Sequence, residues 1–147
     1  MSSTSQKIVT ATLIAGTLDI AMAITETLMK GKDPLGMLAG IASGPIPGAG
    51  TWGLAGSAIG LLVHFAIMAV IATVFILVRE RSALIRNHTL LAAALYGVGV
   101  WAVMYGVVLH QRFGVPFPAA DSFAIAKQLF AHVVLVGLPI GWVAKRG

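Results

Sequence analysis

Three ionisable residues stand inside long apolar runs: Asp19, His64 and His132. An Asp at the centre of a lipid-spanning helix costs about 2.5–3.5 kcal/mol on insertion scales, so each of them calls for a reason. Asp19 stands ten residues before Met29, His64 ten after Leu54 and His132 ten after Ser122. Those run ends face one side of the molecule, and at 1.5 Å per helical residue all three side chains lie about 15 Å below it, in one layer. A carboxylate beside imidazoles, whose unperturbed pKa is about 6.5, is a set that can take up and pass on protons. The same groups can also satisfy one another, with Asp19 bridging the imidazoles, or bond backbone carbonyls and merely fix the packing. At the same depth the third run has Gly99, whose missing side chain leaves room for the layer. Tyr96, Gly99, Val103 and Gly106 share one stripe there, and Gln128 sits one turn from His132. Gly99, Tyr96 and Gln128 are therefore the expected neighbours of the site.

Sharper chemistries find less support. Ser57 shares a face with His64, but seven helical residues separate them by about 10 Å, beyond the reach of a nucleophile and its base. No catalytic residues are assigned. Two His and an Asp form a known metal-ligand set, yet no pair of them is spaced i,i+3 or i,i+4, so no metal and no cofactor are assigned. A b-type haem held by His64 and His132, with Gly97 and Gly99 making space, is kept as an alternative. The absence of cysteine removes thiolate sites, disulfides and covalent haem attachment.

The elements that must carry these residues are helices in lipid. The chain has 147 residues, 58% hydrophobic and 10% charged, where a soluble domain is about a quarter charged. Its apolar runs are about twenty residues long, enough to cross roughly 30 Å of hydrocarbon. The predicted architecture is all-α, a single membrane domain over 1–147, a four-helix bundle with spans at about 8–29, 54–78, 89–109 and 122–143. Ala21-Met22-Ala23 resembles a signal-cleavage site, but Asp19 interrupts the run and only Lys7 precedes it, so the first helix is expected to stay. Asp33-Pro34 predicts a capped short helix over about 34–43, interfacial or re-entrant, ended by Gly44-Pro45-Ile46-Pro47-Gly48. Thr51 and Asp121 are expected to cap the second and fourth spans. Gly56, Gly60, His64 and Met68 form a stripe that invites close helix approach.

The formal charge of +5 does not point to nucleic acid, because the cationic residues are scattered between apolar runs. Lys7, Arg79, Arg81, Arg86, Lys145 and Arg146 on one side, against Lys30, Lys32, Arg112 and Lys127 on the other, place both termini in the cytoplasm. Glu26 shares the face of Asp19 at about the depth of Lys127, so the two can form an ion pair or snorkel separately to water.

The segments Leu13-Ile14-Ala15-Gly16-Thr17-Leu18-Asp19, Ile41-Ala42-Ser43-Gly44, Gly60-Leu61-Leu62-Val63-His64-Phe65, Leu95-Tyr96-Gly97, His132 and Gly137-Leu138-Pro139-Ile140 resemble a family of small uncharacterised four-span bacterial inner-membrane proteins. The similarity covers nearly the whole chain. It implies a multi-pass protein of the bacterial inner membrane with a short segment after the first span, and it implies no activity, cofactor or partner. The acidic residues of the first span also resemble small multidrug exporters, from which the longer loops and two midplane histidines depart. Three functions fit these residues. The first is a non-enzymatic accessory or self-associating subunit, embedded in the bilayer and joined to further copies or to a larger membrane complex. The second is a proton- or cation-coupled transporter of a small solute using Asp19, His64 and His132. The third is the two-histidine haem protein.

Overall fold

A computed structural model describes residues 3–146 of the protein. The first helix, α1 (Thr4–Met29), begins on a reciprocal cap in which the Ser3 hydroxyl accepts from the Gln6 amide and the Gln6 side chain accepts from the Ser3 amide. This satisfies two of the amides that a helix start leaves unbonded. It ends where Gly31 takes a left-handed φ of +66° and lets the Lys32 amide reach back to the Thr27 carbonyl. Asp33 then caps α2 (Pro34–Ala42) with both carboxylate oxygens, which accept from the Leu35 and Gly36 amides. A 3-10 turn (Ala49–Thr51) leads into α3 (Gly53–Arg81), and the short α4 (Ala83–Asn87) joins it to α5 (Thr89–Phe113). Asp121 caps α6 (Ser122–Lys145).

The described residues are all-α, and α1, α3, α5 and α6 are long and apolar enough to cross a membrane. The predicted spans fall inside these helices, each of which runs a few residues further at the charged end. Thr51 is not the cap of α3. It lies within the 3-10 turn, where its hydroxyl donates to the Gly48 carbonyl, and Trp52 occupies the cap position without a side-chain bond.

The termini and α4 mark one end of the bundle, here the terminal face. Residues 30–52 and 114–121 mark the other, the hairpin face. The core sits towards the terminal face, where Ala11, Ala15, Ala72, Phe75, Ile76, Ile140 and Ala144 are buried against one another. Small residues permit this approach: a Cβ on Gly137 would lie 2.4 Å from the Ala93 carbonyl oxygen, and one on Gly141 2.4 Å from the Ala93 Cβ. Arg79 adds a bond from Nε to the Thr89 hydroxyl at 2.9 Å.

Towards the hairpin face, α2 takes up the space beside α3. The Ser57 hydroxyl bonds the Leu35 carbonyl at 2.8 Å, and a Cβ on Gly60 would meet the Leu38 carbonyl. The chain then turns over 43–47 and returns, so that Ala49 faces Gly56. The segment thus enters the bundle for about 10 Å along α3 and leaves again.

Both α5 and α6 widen into π-helical turns, at Met104–Leu109 and Ala131–Gly137. In α6 the cause lies just beyond the widened stretch: Pro139 has no amide hydrogen and its ring crowds the preceding turn. No such residue accounts for the widening of α5.

Candidate functional site

His64 and His132 are held by carbonyl oxygens. His64 Nε2 donates to Gly16 of α1 at 2.9 Å, and His132 Nδ1 donates to Gln128 in its own helix at 2.9 Å. Because a carbonyl only accepts, the proton of each neutral ring is fixed on that nitrogen. The lone pairs remain on His64 Nδ1 and His132 Nε2. Both side chains are buried.

Asp19, on α1 one turn beyond Gly16, is partly buried and makes no hydrogen bond among the described residues. It does not bridge the imidazoles: both ring nitrogens that bond do so to backbone carbonyls. All three side chains line one cavity of about 530 Å³ between α1, α3, α5 and α6. Its walls are otherwise mostly apolar, from Ile67, Met68, Val100 and Met104, and Arg112 stands at its hairpin end. A second cavity of about 320 Å³ reaches Asp19 and His132 from the Glu26 side. No group of three His, Asp or Glu side chains among the described residues is arranged to hold a metal ion.

The expected neighbours separate. Gln128 adjoins His132 and lines the smaller cavity: its carbonyl orients the His132 ring, and its side chain accepts from Trp101 Nε1 at 3.0 Å. Gly99 and Tyr96 do not line either cavity. They border a different groove of about 360 Å³ between α3 and α5, where the Tyr96 hydroxyl donates to the Ile71 carbonyl. Depth alone put Gly99 beside the layer, whereas its angular position on α5 turns it away. Gly97, two residues earlier and on the opposite face, is the glycine that meets His132: a Cβ there would lie 2.4 Å from its carbonyl oxygen and 2.9 Å from the Val133 Cα. Neither glycine makes space for a haem, since α6 fills the position at Gly97 and Gly99 faces elsewhere.

Glu26 and Lys127 form an ion pair at 3.1 Å across α1 and α6, and Lys30 joins it from α1 at 3.4 Å. Ser57 bonds backbone carbonyls on α2 and α3, away from His64.

Two residues of the site had no signal in the sequence. Tyr105 sets its ring edge-on to His132, 5.7 Å between centroids and 75° between planes. It lies at the start of the π-helical turn of α5, one turn beyond Trp101 on the face that meets α6. Arg112 reads as a topology charge, yet its guanidinium donates to the carbonyls of Ser43 and Gly44 at 2.7 and 2.9 Å, tying α5 to the turn after α2.

No family model matches the chain, and no curated protein or solved structure does so. The fold itself defines the class: a four-span helical membrane protein.

Proposed function

We propose that this protein moves protons or small cations, coupled to a small solute, with Asp19 as the group that takes up and releases the charge. The observation that carries this reading is a carboxylate without a hydrogen-bond partner among the described residues, standing where two cavities meet. An acid within a spanning helix is costly unless it serves a site that water can reach, and Asp19 opens onto both cavities. His64 and His132 support the same role. Each is oriented by a carbonyl and keeps one basic nitrogen, so each can receive a proton from Asp19 and return it. The apolar walls of the larger cavity suit a solute with little polar surface.

The orientation that accompanies this reading puts the termini and the arginines of residues 79–86 in the cytoplasm of a bacterial cell, in line with the excess of positive charge on that side. Asp19 then faces approaches from the outer half of the membrane.

Reconstitution tests the proposal. Proton entry into sealed liposomes under an imposed pH gradient is measured for the native protein and for Asp19→Asn, which keeps the shape and removes the titrating group. Flux above background that falls at least tenfold in the variant is the expected result. Equal flux at the level of protein-free liposomes would remove transport and leave the accessory, self-associating subunit as the reading of choice.

A further inference from the structure

The two cavities approach Asp19 and His132 through walls of different chemistry. The larger is chiefly apolar, while the mouth of the smaller one is crossed by charge. Glu26 Oε1 and Lys127 Nζ lie 3.1 Å apart there, linking α1 to α6, and Lys127 is steadied over the Phe123 ring at 5.3 Å. Ala131 lines the wall one turn below Lys127, and Asp19 lies two turns below Glu26. A path from the hairpin face through the smaller cavity to the carboxylate therefore passes this pair.

Glu26 also has a second partner. Lys30 Nζ approaches its other oxygen at 3.4 Å from the i+4 position of the same helix. If Lys127 swings away, Glu26 stays paired on α1 and no carboxylate is stranded. The side chains of Glu26 and Lys127 are 31% and 32% exposed, so parting them costs one partly wetted contact, and the link is readily reversible.

We propose that the smaller cavity is the water path by which protons reach Asp19, and that the Glu26–Lys127 pair is its gate. This deepens the transport reading of the same site, and its test does not depend on flux. The chain contains no cysteine, so Ala131→Cys places a single reporter below the gate, and Ile67→Cys places one on the wall of the larger cavity. The full-length protein in liposomes is treated on both sides with a membrane-impermeant, uncharged, sugar-bearing methanethiosulfonate, whose approach local charge does not bias. Adding Lys127→Gln should speed modification at position 131 roughly two- to fivefold, the factor that loss of one partly exposed ion pair gives. Lys127→Glu, which opposes two carboxylates, should speed it further, and combining it with Glu26→Lys should return it towards the native rate. Position 67 should not respond.

Unchanged modification at 131 in both Lys127 variants would overturn the gate, and so would an equal rise at 67, which would signal general loosening. Flux measured in the same liposomes separates the two failures. Gated labelling with flux indifferent to Asp19→Asn keeps the gate and removes transport; Asp19-dependent flux with ungated labelling does the reverse.

Discussion

Replacing Gly60 by alanine should detach α2 from α3, although alanine favours helices more than glycine does. A Cβ at Gly60 would lie 1.8 Å from the Leu38 carbonyl oxygen, 2.7 Å from its carbon and 3.3 Å from the Ala42 amide nitrogen. All three are backbone atoms, so no side-chain rotation relieves the clash. To regain ordinary contact, α2 must retreat by about 1.5 Å, a gap that forfeits half or more of the dispersion attraction along the seam. Leu38, Ala39 and Ala42 are buried there, and the Ser57–Leu35 hydrogen bond at 2.8 Å would be broken by the same movement. Overpacking typically costs about 1–3 kcal/mol and the lost hydrogen bond about 1 kcal/mol, so the expected destabilisation is about 2–4 kcal/mol. Gly99→Ala is the matched control. Nothing lies within 4 Å of a Cβ at that position, and removal of a helical glycine should stabilise by about 0.5–1 kcal/mol. Amide hydrogen exchange over residues 35–42 in mild detergent, with unfolding in mixed micelles monitored by circular dichroism, measures both. Exchange in Gly60→Ala as slow as in the native protein, together with an unchanged unfolding midpoint, would refute the packing assigned to this seam.

Gly97→Ala should displace the π-helical turn that carries His132, because its Cβ would meet the His132 carbonyl and the Val133 Cα; a loss of about 1–3 kcal/mol in unfolding and a fall in proton flux are expected, where Gly99→Ala changes neither for the worse. Arg112→Gln should free the Ser43 and Gly44 carbonyls and speed amide exchange over residues 43–47 roughly tenfold, as loss of a charge-assisted contact of about 1.5 kcal/mol would give; unchanged exchange would show that the tie carries nothing. Tyr96 lines neither cavity of the site, and Tyr96→Phe removes its bond to the Ile71 carbonyl, so stability should fall by about 0.5–1.5 kcal/mol with proton flux unchanged.

Hydropathy and local chemistry determined the outline of this protein. Lipid demands that each crossing segment satisfy its own backbone, so twenty-residue apolar runs had to be helices, and Asp33, Asp121 and Pro34 mark helix starts because a cap needs nothing beyond its own next three residues. The stripe Gly56, Gly60, His64 and Met68 was legible for the same reason: a regular helix converts spacing into a face. Only the tertiary structure decided what meets those faces. Whether α2 lay at an interface or entered the bundle depended on Gly60 receiving a backbone from outside its own helix. The choice of Gly97 over Gly99 depended on which face of α5 is turned to α6, which depth along a helix leaves undetermined. Tyr105 escaped for the same reason, since it follows Gly97 and Trp101 on the face of α5 that meets α6. The contacts of Asp19 were likewise beyond reach, since how close a carboxylate comes to two imidazoles on separate helices is set by helix packing and rotation, and apolar patterns fix these only to within a turn.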